Sequence, residues 1–319
     1  MMIGRVILAG ILAAVALTPA LAQRTVVVGK PRIAITPAPW IPTPQPVQNI
    51  FPSVKLQNLF GSDFFPAAPT VLLDNTTTTG YYFGAPNIVL DDANISNTHD
   101  TDGDDTYYLT ELEYGFYVPS DQAVNLSVYL AGVDPVTGGP DPNDLTQPIA
   151  TVTGDLAAGV YILTVSFDNC NPVEQTTVQF STGGNDYDYF WAGISFGAQN
   201  CVNGPGMLTA SGPDHEDDVF WWEGNQSCGG SAVTGFYWFG GTPRASFYLK
   251  VTGAATLEEA RVPNPDVDNS GCVDDADLLI VLFNFGNTGD PGIPGDANCD
   301  GNVDDADLLD VLFAFGSGC

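Results

Sequence analysis

The sequence predicts a mainly β protein: an antiparallel β-sandwich of jelly-roll type, followed by a small all-α unit made of two repeats. Three observations carry this. Between residues 54 and 253, short runs alternate apolar and polar side chains with period two, punctuated by Gly, Asn, Asp and Thr. No long helical period interrupts those runs, which argues against crossover helices and a parallel sheet. The end of the chain then carries one unit twice, "DVDNSGCVDDADLLIVLFNFGNTG" from Asp266 and "DANCDGNVDDADLLDVLFAFGSGC" from Asp296, thirty residues later.

The first element is a removable export segment, residues 1–22. Arg5 supplies a positive start, Val6 to Leu17 is an apolar run too short to span a bilayer comfortably, and Ala20 and Ala22 stand at signal-peptidase spacing, so cleavage is expected between Ala22 and Gln23. No later stretch is apolar enough to span a membrane. The expected destination is extracellular: secreted, or attached to a bacterial cell surface. Residues 23–53 are rich in proline, which fixes φ and removes amide donors, so an extended arm is expected there, with Thr25 to Val28 as one candidate strand.

The sandwich occupies residues 54–253. "TYYLTELEYGFYV" places Leu112, Tyr114, Phe116 and Val118 inward. "AVNLSVYLA" does so with Val124, Leu126, Val128 and Leu130, and "YILTVSF" with Tyr161, Leu163, Val165 and Phe167. "YFWAGISF" presents Phe190, Ala192, Ile194 and Phe196 to one face. "ASFYLKV" turns Ala245, Phe247, Leu249 and Val251 in, and Ser246, Tyr248 and Lys250 out. Residues 254–265, with two prolines, read as a linker to the repeat unit, 266–319.

Charge narrows the function. The chain has 8 basic and 38 acidic residues, a formal net charge of −30, with no Lys or Arg between Lys55 and Arg244 or after Arg261. Such a surface repels phosphate backbones and anionic lipid heads and attracts divalent cations, which excludes nucleic acid as a partner. The six cysteines of an exported chain are expected to form disulfides. With no C-x-x-C and only two His, zinc is not expected. Near-twofold packing of the repeats suggests Cys272 with Cys299. Cys319, the last residue, either pairs within the chain or is a point of attachment to another.

Each repeat opens with oxygen-bearing side chains at alternate positions, a glycine at position six and an acid at position twelve. That arrangement suits Ca²⁺, a hard ion that takes several oxygens from a flexible loop. The first loop offers Asp266, Asp268, Ser270, the carbonyl of Cys272, Asp274 and Asp277. The second offers Asp296, Asn298, Asp300, Asn302, Asp304 and Asp307. Two calcium ions are expected, with folding and binding as one event, because nothing else in this tail offsets the carboxylates. An apolar helix follows each loop. Leu278, Leu282 and Phe285 are expected on the packed face of one, and Leu308, Val311, Leu312 and Phe315 on that of the other.

These residues resemble the dockerin family. The loop-then-single-helix unit (an F-hand) occurring twice, with Asp at position twelve, looks like a type I dockerin repeat. The ending "FGSGC" looks like that of GC-type dockerin domain-anchored proteins. The resemblance covers the last 55 residues or so, and implies calcium at the positions named and a role as an attachment module. Dockerins meet cohesins partly through loop positions ten and eleven. Here those are Asp275-Ala276 and Asp305-Ala306 rather than a hydroxyl pair, so a cell-surface anchor is expected ahead of a cohesin-like partner.

The sandwich itself leaves two readings: a noncatalytic structural or adhesive body, or a carbohydrate-binding or polysaccharide-degrading one, with a glycoside hydrolase as the enzymatic form. "DTDGDD" (Asp100 to Asp105) is either a solvated turn or another cation loop. Glu111 and Glu113 share a strand face, whereas a glycosidase needs carboxyls opposed across a cleft. Phe220, Trp221 and Trp222 could stack on sugar rings, though adjacent residues in a strand point to opposite faces. His99 and His215 stand in Asp-rich loops, and no Gly-x-Ser-x-Gly elbow occurs.

Overall fold

A computed structural model describes residues 32–37, 69–84, 87–182, 185–197, 204–211, 219–223, 234–238 and 246–319. The expected export segment, most of the proline-rich arm, His215, Cys201 and Cys228 lie outside the described residues. The strands, in chain order, are β1 (Arg32–Pro37), β2 (Thr70–Asn75), β3 (Thr78–Gly84), β4 (Ile88–Ser96), β5 (Thr106–Val118), β6 (Gln122–Ala131), β7 (Ala150–Leu156) and β8 (Gly159–Ser166). They continue with β9 (Val173–Thr176), β10 (Val178–Thr182), β11 (Asn185–Ser195), β12 (Gly206–Ala210), β13 (Val219–Glu223), β14 (Gly235–Trp238), β15 (Ser246–Phe247) and β16 (Leu249–Ala254).

Two antiparallel sheets form, each organised around one long strand. In the first, β5 pairs with β8 and β9 along one edge and with β16 and β12 along the other; β1, β2, β3 and β15 extend it outward. In the second, β11 lies between β4 on one side and β6 on the other, within the order β14-β13-β4-β11-β6-β7. The inward faces meet in a core that includes Leu112, Tyr114, Phe116, Leu126, Val128, Leu163, Phe190, Ile194, Phe247 and Leu249. The period-two pattern predicts these positions because alternate side chains of a strand face one side of a sheet.

Several positions depart from the simple alternation, each for a local reason. In β5 the buried apolar side chains are Tyr107 and Leu109, then Leu112, Tyr114, Phe116 and Val118. The parity switches because the pairing with β16 shifts register between Thr252 and Gly253, which are opposite Glu111 and Leu109. An extra residue there turns the first part of the strand over. Trp191, on the outward face of β11, is also buried, because the segment from Val133 to Leu145 folds across it. Its indole Nε1 donates to the carbonyl of Gly138 at 3.2 Å. Ser246, expected outward, is buried and donates to the carboxylate of Asp91, which also accepts the amide of Phe247 at 3.3 Å.

The proline-rich arm contributes a strand where none was expected. Arg32–Pro37 pairs antiparallel with β8, from Arg32 opposite Ser166 to Pro37 opposite Tyr161. As an edge strand it tolerates a proline at its end. The connection after β16 is also more than a spacer. Thr256 caps a single helical turn, α1 (Leu257–Ala260), and Ala260 is fully buried. The amide of Val262 then donates to Asn169 O at 3.1 Å, and Arg261 Nε to Cys170 O at 3.2 Å.

The C-terminal unit contains α2 (Asp275–Asn284) and α3 (Asp305–Ala314). They pack through Val281 and Val311, with Val273, Ala297 and Val303 beneath. The expected packed faces are thereby corrected. Leu278 and Leu308 border this small core, but Leu282, Phe285, Leu312 and Phe315 are exposed. A ten-residue helix has room for one fully buried valine against a neighbour equally short. The disulfide expectation is corrected as well. Cys299 pairs with Cys170 of the sandwich, Cα to Cα 5.0 Å, and Cys272 pairs with Cys319, Cα to Cα 4.7 Å. The chain end reaches the first loop because Val273 N donates to Ser317 O and Gly316 N to Val273 O.

Candidate metal centre

Both loops turn on the residues at positions four and six. Asn269 and Cys299 have φ of 59° and 65°, and Gly271 and Gly301 have 91° and 83°. Glycine meets this requirement without steric cost. At Gly301 an added Cβ would also meet the Gly289 carbonyl at 2.5 Å, so two reasons keep that site small.

In the first loop, carboxylate oxygens of Asp266, Asp268 and Asp277 lie within 4.8 Å of one another. Asp266 accepts the amides of Ser270 and Gly271, each at 2.9 Å, and Asp268 accepts Ser270 N at 2.9 Å. The side chain and amide of Ser270 hold the Asp268 carboxyl below its usual range. Asp277 is fully buried and ties the loop to its helix. Its Oδ1 accepts Asp268 N at 3.0 Å and its Oδ2 accepts Asp274 N at 2.9 Å. Asp274 returns the bond by accepting Ala276 N at 2.8 Å, and the two form a capping box at the start of α2. Ser270 Oγ donates to Cys272 O at 3.0 Å, so these two expected ligands satisfy one another.

The second loop repeats this backbone arrangement with a deeper seat. Asp296 and Asp307 are both buried. Asp307 Oδ1 accepts the amides of Ala297 and Asn298 at 2.8 and 3.1 Å, and Oδ2 accepts Asp304 N at 2.8 Å. Burial pushes the Asp307 carboxyl above its usual range; the three amides pull it the other way, and Asp296 adds to the rise. Asp296 accepts Asp300 N at 3.1 Å and Gly301 N at 3.0 Å, and also Gly292 N at 2.8 Å from the turn before the loop. Asn298 stands where the first loop has Asp268, and Asp300 where it has Ser270, so the two rings carry the same number of carboxylates. Asn302 Nδ2 donates to Asp300 Oδ1 at 3.2 Å, and Asp304 caps α3 by accepting Ala306 N at 2.8 Å.

The donor set is all oxygen and multiply charged, which fits a hard divalent cation and no thiolate- or imidazole-seeking metal. Local spacing pointed to every one of these side chains. It gave no hint of Gly292 as a support for Asp296, nor of the link from Cys299 to Cys170.

The other sequence-marked residues go elsewhere. Glu113 pairs with Lys250 Nζ at 2.6 Å across β5 and β16, and Glu111 accepts Ser166 Oγ at 3.3 Å, so each is engaged by a neighbouring strand. Trp222 packs against the main core with Phe220, while Trp221 packs on the opposite face beside Trp191 and Phe236. His99 ends a 3₁₀ turn, Asn97–His99, after β4. Comparison with protein-family models, curated proteins and solved structures finds no match.

Proposed function

We propose that this chain is an exported, noncatalytic protein whose jelly-roll-like sandwich is attached through a calcium-dependent, dockerin-like C-terminal module. The observation that carries the reading is the doubled loop, in which a buried position-twelve aspartate grips two stretches of loop backbone, and in the first loop carboxylate oxygens of positions one and three gather beside it. An attachment surface is supported by the helices' outer sides. Phe283 and Phe313, equivalent in the two repeats, are 81% and 85% exposed, and Leu282, Phe285, Leu312 and Phe315 accompany them. Paired apolar patches of this kind on an otherwise acidic unit suit a partner surface better than water. The noncatalytic reading is favoured over a carbohydrate-active one because Trp221 and Trp222 both pack against apolar clusters.

The test is limited proteolysis of the intact chain with calcium or with a chelator, read by mass spectrometry, together with circular dichroism. Calcium is expected to protect the region after residue 266 and add helical signal, while the sandwich stays uncut in both states. Equal protection with and without chelator would overturn the metal half. A Phe283→Ser/Phe313→Ser variant that still sediments with cell envelopes as well as the unaltered protein would overturn the attachment half.

A further inference from the structure

The crossover between the two sheets holds a second type of acidic cluster. The chain leaves β4, makes the 3₁₀ turn Asn97–His99, runs through Asp100 to Asp105, and enters β5 of the other sheet. This loop folds back toward β11, where Asp188 lies opposite Ile95 of β4. Carboxylate oxygens of Asp100, Asp105 and Asp188 come within 4.8 Å of one another.

Asp188 distinguishes this cluster from a solvated acidic turn. Its side chain is fully buried. Its Oδ2 accepts Tyr107 Oη at 2.6 Å and Asn97 Nδ2 at 3.4 Å, but its Oδ1 is buried with no hydrogen-bond partner among the described residues. A buried carboxylate oxygen left unpaired is costly, and two further carboxylates beside it compound the cost. Among the described residues, the basic side chains are engaged elsewhere: Lys250 with Glu113 and Arg261 with Cys170 O. The loop is held in place around the cluster. Asp100 Oδ1 accepts Gly103 N at 2.9 Å, and Asp105 O accepts both the amide and the hydroxyl of Thr177 at 2.8 Å.

We propose that Asp100, Asp105 and Asp188 form a further cation site on the sandwich, independent of the two C-terminal loops, that takes a hard divalent ion of the calcium class. Three carboxylates supply oxygens only, and Ca²⁺ accepts an irregular oxygen set completed by water. The ion gives Asp188 Oδ1 a partner, offsets the mutual repulsion, and fastens the sheet-to-sheet crossover to β11.

The experiment counts ions on the full chain. Calcium bound per molecule is measured by equilibrium dialysis and elemental analysis for the unaltered protein, for Asp188→Asn, and for the double variant Asp100→Asn/Asp105→Asn. Ions held by the C-terminal loops are common to all three and cancel in the comparison. Both variants are expected to hold one ion fewer, or to hold it at least about tenfold more weakly, since affinity follows ligand charge. Tb³⁺ emission excited through tyrosine is expected to fall with them, because the Tyr107 hydroxyl touches Asp188. Should Asp188→Asn fail to fold, the double variant, altered only at loop positions, carries the test. Equal ion counts and equal affinities in the unaltered protein and a folded double variant would overturn the site.

Discussion

A carboxylate that accepts several backbone amides does structural work whether or not an ion is near. Asp307 accepts three, and the side chain is fully buried. Replacing it with alanine removes the acceptor of all three amides, and each buried donor left unpaired costs about 1–3 kcal/mol. Asp307→Ala is therefore expected to destabilise the calcium-loaded C-terminal unit by about 3 kcal/mol or more, as read by denaturant titration. A loss under about 0.5 kcal/mol would contradict this role for the side chain. Lys250 presents a different residue-scale case. Its bond to the Glu113 carboxylate is the main cause raising its pKa above the usual lysine value, with partial burial opposing. A raised lysine pKa means the folded state holds the proton more tightly. The stabilisation is then fully present below the ordinary value of 10.5 and lost as pH rises through the higher folded value. Lys250→Met is expected to cost about 1 kcal/mol at pH 7, and the gap from the unaltered protein should narrow only above about pH 10.5. A gap that closes between pH 7 and 9 would show that the pair does not account for it.

At the scale of elements, β11 has little room for change at its centre. Gly193 stands opposite Leu90 on one side and Tyr129 on the other. A Cβ there would run into the carbonyl of Val89 and the backbone of Leu90. Backbone cannot move aside as a flexible side chain can, so Gly193→Ala is expected to cost about 3 kcal/mol, the upper end for overpacking, in thermal or denaturant unfolding. A loss under about 0.5 kcal/mol, the range of ordinary surface substitutions, would contradict this reading of the strand. The same strands show how far local pattern carries. Leu126, Val128, Leu163 and Ile194 could be assigned inward from alternation alone, because each strand there is regular and half-buried. The turnover within β5 could not, since a bulge depends on the register of β16, more than a hundred residues away. Nor could the burial of Trp191, which follows from a loop folding over its face. In the repeats, the oxygen-bearing side chains that the loops bring together were visible from spacing, because each set lies within twelve residues. Asp188 carries no such signal: its neighbours Asp100 and Asp105 are over eighty residues distant and meet it only through strand pairing.

For the molecule as a whole, the question is whether sandwich and C-terminal unit behave as one body. A disulfide and hydrogen bonds hold them together. Cys170 and Cys299 are covalently joined, Asn171 Nδ2 donates to Pro291 O at 2.9 Å, and Asn264 N donates to Ala297 O at 2.7 Å beside the disulfide. The disulfide closes a span of 129 residues, whereas Cys272–Cys319 closes 47 and stays within the repeat unit. Chain-entropy reasoning puts the longer closure at up to about 5 kcal/mol, and losses on removing native disulfides run about 2–5 kcal/mol. The consequence for cooperativity is larger than the number suggests, because the hydrogen bonds that remain are few and near the surface. A Cys170→Ser/Cys299→Ser variant is expected to melt in two calorimetric transitions, the earlier belonging to the repeat unit, where the unaltered protein melts in one. Limited proteolysis should then open the segment between Ala260 and Asp266, which is held by Val262 N to Asn169 O and by Arg261 to Cys170 O while the staple is intact. Removing Cys272 and Cys319 instead should loosen the chain end and the first loop but leave the coupling between the units in place. A single transition in the Cys170/Cys299 variant, with that segment still uncut, would mean that noncovalent contacts alone weld the two units.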